Sequence, residues 1–213
     1  MFRRKLFWKS LAAFALAIGL LIAPWPGWSE RYARGLHRCG EALFDPFGKK
    51  GVVRFQFTPD ATLHDTTIIL GNRDMVQPGG KMPAARVLFS SRYVAYLPTA
   101  LVAALVLATP IPWRRRLWAL VWAMVIVHAF VAFILWLMIL HQYNETPGLS
   151  LFLLKAFPKK ILHAVHEVFV TYTGPFFAVP VFIWLLVSFR REDWAKLFGQ
   201  PDPPRAQIEQ PES

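Results

Sequence analysis

The sequence predicts an α-helical polytopic membrane protein of about four transmembrane helices, with a small extracytoplasmic α/β subdomain between the first and second. Three observations lead there. Of 213 residues 55% are hydrophobic, above the roughly half that a soluble domain carries. Apolar runs of about twenty residues recur along the chain, the length that crosses about 30 Å of hydrocarbon. Basic residues gather at the ends of those runs, in Arg3-Arg4-Lys5, Arg114-Arg115-Arg116 and Arg190-Arg191. A net charge of +11 would otherwise suggest a nucleic-acid partner. Placed beside apolar runs, these cations instead meet anionic headgroups and set topology, so membrane lipids are expected as partners and nucleic acid is not.

Residues 1–24 read as the first transmembrane helix and a signal anchor. The apolar run 6–23 is interrupted by Lys9 and Ser10, and its core has the length of a signal-peptide h-region. No small-x-small cleavage site follows, however. The chain continues Pro24-Trp25-Pro26-Gly27-Trp28, and paired tryptophans suit a membrane interface, which favours a retained helix.

Residues 25–92 read as the α/β subdomain. Ser29 and Glu30 open a helix over 30–44, with Tyr32, Leu36, Cys39 and Leu43 on one stripe. Val53, Phe55 and Phe57 alternate with Arg54 and Gln56, the period of a half-buried strand. Residues 66–70 form a second β-rich run, ended by Gly71-Asn72, and residues 86–89 a third, after the Gly-Pro loop 77–83. A single cysteine, Cys39, excludes an intramolecular disulfide and a cysteine-based zinc cluster, and is read as packed and inert.

Residues 93–198 read as a three-helix membrane bundle, built on the runs 93–111, 117–140 and 168–189. The turn Pro112-Trp113-Arg114-Arg115-Arg116 carries no acid and marks the cytoplasmic side. Both termini are then inside, and residues 25–92 and 141–167 outside. The outer loop 141–167 holds an apolar stretch, 148–157, too short to span, then an amphipathic one; it reads as re-entrant or interfacial. Residues 199–213, with Pro201, Pro203, Pro204 and Pro211, read as a disordered cytoplasmic tail.

His163, His166 and Glu167 are the residues best spaced for chemistry, since i, i+3 and i+4 share a helix face. Two imidazoles and a carboxylate, with His141 or His64 as a further ligand, would accommodate zinc; no other cofactor is called for. The competing reading is the wet side of an interfacial helix. Arg92, at the outer mouth of the second run, either anchors to headgroups or clamps a carboxylate or phosphate. His128 lies in the middle of the third run. A titratable group at that depth is expected to face the bundle and to bond a neighbouring helix, for instance at Thr99 or Thr109.

The stretch Tyr96-Leu97-Pro98-Thr99-Ala100, continuing to Thr109-Pro110 and Trp113-Arg114-Arg115-Arg116-Leu117, resembles the small exosortase/archaeosortase membrane proteins. That resemblance implies an aliphatic helix ending in proline before a W-R-R-R-L-like turn, and a catalytic histidine near His163 or His166. The family's nucleophilic cysteine would fall where this chain has Ser90-Ser91-Arg92-Tyr93, and its arginine where this chain has Val127-His128-Ala129. Transpeptidase chemistry therefore does not carry over.

The expected function is that of a non-enzymatic accessory or subunit in a bacterial inner membrane, its outer domain contacting a protein partner in the envelope. The alternative is an exosortase-like or metal-dependent enzyme at the outer leaflet, using His163, His166, Glu167 and Arg92 on a peptide or lipid-linked substrate. A transporter component is the second alternative, which would call for more than one buried polar group.

Overall fold

The structure is a computed structural model, and it describes residues 2–23, 27–45, 47, 49–58, 64–75, 82–146, 149, 151 and 155–189. The tail 199–213, the proline-rich exit 24–26 and the pair Arg190-Arg191 lie outside them. Among the described residues are six α-helices and one three-stranded sheet. The helices are α1 (Phe2–Ile22), α2 (Trp28–Phe44), α3 (Leu97–Ala108), α4 (Trp113–Glu145), α5 (Ala156–His166) and α6 (Gly174–Ser188). The strands are β1 (Gly51–Phe57), β2 (Thr66–Asn72) and β3 (Ala84–Phe89), a fully antiparallel meander in the order β1-β2-β3.

The period of two places Val53 and Phe55 opposite Leu70 and Ile68, and these opposite Ala85 and Val87. That face of the sheet is the buried one. Helix α2 lies against β1, so close at Gly40 that a Cβ there would meet the Phe55 ring at 2.7 Å. The buried positions of α2 are Ala33, His37, Gly40 and Phe44, whereas Cys39 and Leu43 are exposed. The expected stripe was thus rotated. A histidine and a glycine, neither counted as apolar, hold inner positions because one has a hydrogen-bond partner and the other permits close approach. The helix also begins before Ser29, after Gly27 in the left-handed region (φ 69°).

Helices α1, α3, α4 and α6 form the bundle, with α3 touching the other three. One core runs without a break from the sheet, through Ile68, Leu70 and Phe89, to Val94, Ile134 and Met138 of the helices. A second, around Val102, Val106, Ala123, Val127 and Ile183, fills the other end of the bundle. Hydrogen bonds seal that end. Arg116 donates to the Thr109 and Ile111 carbonyls (2.9 and 3.3 Å), Arg115 to the Ser188 carbonyl (2.7 Å), and Trp184 Nε1 to Thr109 Oγ1 (2.7 Å). The basic turn therefore satisfies the open carbonyls at the ends of α3 and α6, where helix dipoles favour cations.

The expected four crossings are not there. Among the described residues, α4 alone, with 33 residues, is a single helix long and apolar enough to span a bilayer. The apolar stretches Trp8–Ile22 and Arg92–Ala108 are shorter; at 1.5 Å per residue they reach roughly 22 and 26 Å against about 30 Å of hydrocarbon. The stretches Ala156–Thr171 and Gly174–Ser188 would pass only as a pair, and they are bent by 82° at the break. Composition ran past the places where helices stop: Thr109-Pro110 ends α3, and Tyr172-Thr173 before Gly174-Pro175 breaks the last run.

Two five-residue stretches are wound as π-helix, Arg92–Tyr96 leading into α3 and Glu167–Thr171 extending α5. In the first the Leu97 N–H reaches the Arg92 carbonyl, and in the second the Tyr172 N–H reaches that of Glu167. In the outer loop, Leu149 is fully buried in the sheet-side core and Leu151 packs beside it. Leu149 and Leu151 of this loop thus join the core shared by sheet and bundle, while α5 packs along α4.

Two polar contacts join sheet to bundle. The Asp65 carboxylate accepts the Ser91 N–H (2.7 Å) and hydroxyl (2.6 Å) at the start of the helix leading into α3. Thr66 also donates to Asp65 (3.0 Å), so its oxygen accepts from His37 Nε2 at 3.0 Å. On the other side, the fully buried Tyr143 of α4 sets its hydroxyl 3.0 Å from the carbonyls of Val52 and Gly71. Asp65→Ala is expected to lower stability by about 2 kcal/mol, as the loss of a helix-start acceptor with a buried hydroxyl left over. Cys39→Ser, on the exposed face, should stay within about 0.5 kcal/mol. Equilibrium unfolding of the purified variants measures both, and equal values would contradict the bridging role of Asp65.

Candidate functional site

Helix α5 returns antiparallel along the last turns of α4. The Lys159 ammonium pairs with Glu145 at 3.2 Å, which places the following two turns of α5 beside His141. The His166 ring stacks on the His141 ring, with centroids 3.8 Å apart and planes 14° from parallel. His163 lies against His141 at 5.8 Å and 28°. Of the two further histidines considered from sequence, the fold selects His141; His64 lies elsewhere.

Stacked rings meet through their faces, while imidazole lone pairs lie in the ring planes. The three nitrogen sets therefore do not point at a common centre. Among the described residues no group of three or more His, Cys, Asp or Glu is arranged to hold a metal ion. His141 Nε2 is nevertheless buried without a hydrogen-bond partner among the described residues, a costly state for a ring nitrogen. Glu167 is exposed at the start of the π-helical stretch, where the helix widens, and Arg92 is exposed at the start of the other. Glu167 keeps the helical bond from its N–H to the His163 carbonyl and so stays on the His163 side of α5, while Arg92 belongs to a different helix.

His128 also departs from expectation. It lies on the exposed side of α4 and bonds the Met124 carbonyl of its own helix at 2.7 Å. Thr99 and Thr109, the expected partners, donate to Ala95 and Leu105 in their own helix instead. A hydroxyl or imidazole that can reach the carbonyl one turn back needs no second helix.

A cavity of about 370 Å³ lies where the sheet meets the bundle. Its wall is Phe89, Val94, Leu97, Met138, Val170 and Phe176, most of them buried. Its rim carries Leu88, Tyr93 and Phe177, with the imidazole of His64 and the hydroxyls of Ser90 and Thr173. Among the described residues, neither a carboxylate nor a Lys or Arg lines it. Sequence reading missed this feature. The wall is drawn from β3, α3 and its π-helical start, α4, the second π-helical stretch and α6, and no spacing along the chain connects generic Val, Met and Phe positions so far apart.

Burial first, then the neighbouring His141 and His163, push the His166 pKa from 6.5 down to about 4. The unfolded chain takes up this proton near 6.5 and the folded protein only near 4. Between those values the unfolded state binds more protons, so stability is lost as pH falls through that window and is flat above it. His166→Phe keeps a stacking ring and removes the titration. Thermal unfolding near neutral pH and at about pH 5 should show a fall in Tm for the wild type that is smaller in His166→Phe. Equal falls would remove His166 as the cause.

No family model, curated protein or solved structure matches this chain.

Proposed function

We propose that this chain is a membrane-seated, non-enzymatic accessory protein of the cell envelope, with its α/β subdomain outside and bound to a protein partner. The observation that carries the reading is the outward surface of the bundle. Leu16 of α1, Trp122 and Val125 of α4, and Phe182 and Leu186 of α6 are all more than half exposed. An apolar exterior over an already packed apolar core is stable in lipid and aggregates in water. Helix α4 serves as the crossing element. Its 33 residues extend about 50 Å, with Arg114-Arg115-Arg116 at one end and the sheet contact of Tyr143 at the other. Positive charge inside then puts the sheet outside. Helix α5, amphipathic with Leu162 buried, lies at the surface.

A binding role is favoured over a catalytic one because the three imidazoles meet through their ring faces and, among the described residues, no group of His, Cys, Asp or Glu is arranged to hold a metal ion. The surface offered to a partner is the outer face of α2. There Arg31, Arg38, Cys39 and Leu43 are exposed, a basic face with an apolar patch that suits an acidic protein surface.

The lone cysteine tests this without mutation, since it lies on that face. A membrane-impermeant maleimide should label Cys39 in intact spheroplasts, and the protein should stay in the membrane pellet after carbonate washing. Labelling only after lysis would place the subdomain inside; release by carbonate would end the membrane reading. A benzophenone maleimide on Cys39 should give one discrete cross-linked protein, and its loss in Arg31→Glu/Arg38→Glu would locate the contact on α2.

A further inference from the structure

The geometry points to a binding site for a single alkyl chain, in the cavity between β3, the start of α3, α4 and the entrance to α6. The inference rests on the membrane reading for the source of its ligand but not for the site itself. The wall is apolar and its deep part is closed: Phe89, Val94, Met138 and Phe176 are each less than a tenth exposed. Water inside would find too few hydrogen-bond partners, and a dry cavity lined by aliphatic and aromatic side chains takes an apolar guest. A volume of about 370 Å³ falls within the range of ligand-sized cavities.

The rim identifies the guest further. Tyr93, Leu88 and Phe177 are each more than half exposed, and Phe177 shares α6 with the outward-facing Val181 and Phe182. A chain can therefore enter from the lipid-facing surface. Beside them, His64, Ser90 and Thr173 bring an imidazole and two hydroxyls to the lining. Those groups can hydrogen-bond a polar head. An apolar shaft with a mildly polar mouth matches an amphiphile with one buried alkyl tail.

Two probes separate the sources of such a chain: a phosphatidylethanolamine with a diazirine in its acyl tail, and diazirine palmitate. The full-length protein is reconstituted in phosphatidylethanolamine and phosphatidylglycerol vesicles, irradiated and mapped by mass spectrometry. Adducts are expected at Met138, Val170 and Phe176, above the level at Trp122, Phe182 and Leu186 on the outer surface. Enrichment with the phospholipid identifies a bilayer lipid as the guest, and enrichment with palmitate alone identifies a free fatty acid. Val170→Trp, which fills the shaft, should reduce the Met138 and Phe176 adducts about tenfold while leaving those at Phe182 unchanged. Labelling spread evenly over inner and outer positions of the wild type would overturn the proposal, whatever the variant does. Flotation of the same vesicles reports the membrane reading separately. If the protein does not float, palmitate labelling in aqueous solution decides the cavity on its own, and no enrichment at Met138 and Phe176 there sinks it.

Discussion

The carboxylate of Asp65 sets the position of the subdomain on the bundle. A helix start leaves backbone N–H groups without partners, and the one at Ser91 lies inside the protein, where that deficit is costly. Asp65 supplies the acceptor from the beginning of β2 and takes the Ser91 hydroxyl and Thr66 hydroxyl as well. Through Thr66 it reaches His37, so one carboxylate joins α2, the sheet and the segment leading into α3. Tyr143 repeats the principle from α4, stacking on Phe47 at 5.5 Å while its hydroxyl meets the sheet. With these contacts in place the sheet-side core and the upper halves of the helices form one packed body, and the cavity becomes a fixed gap between them.

The far end of the bundle follows the opposite electrostatic rule. There α3 and α6 present carbonyls, and Arg115 and Arg116 meet them. Arg116 also lies over the Trp113 ring at 5.8 Å. One cluster of arginines thus closes two helix ends. Thr109 belongs to the same end: it donates to Leu105, accepts from Trp184, and holds α3 to α6 just where α3 stops.

How much was legible in the sequence depended on whether a residue's role was local. Strand β1 was readable because alternation of Val53, Phe55 and Phe57 with Arg54 and Gln56 is a property of neighbours. The pairing of His163 with His166 was readable for the same reason. The inner face of α2 was not, because His37 is buried only by virtue of Thr66, and Gly40 only by virtue of Phe55. The number of crossings was misjudged since hydropathy is summed over residues whereas a helix ends at particular ones, here before Pro110 and before Gly174-Pro175. Glu167 keeps its helical place after His163 and His166, and the turn widens only beyond it. The choice of His141 over His64, and the whole of the cavity, depended on which distant segments met.

The two π-helical stretches give this architecture an unusual sensitivity to chain length. A π turn is equivalent to an α-helix carrying one extra residue, and each residue of an α-helix corresponds to about 100° of rotation. Arg92–Tyr96 and Glu167–Thr171 both border the cavity, through Tyr93 and Val94 on one side and Val170 on the other. Each acts as a phase shifter between the helical turns on its two sides. The extra residue after His166 lets the imidazoles face α4 while Val170 still turns towards Met138. Removal of a single residue there would restore a regular helix and turn one of those two sets away. Homologues of this chain, if they keep both the stack and the cavity, are therefore constrained in residue count across 163–172 more tightly than in residue identity.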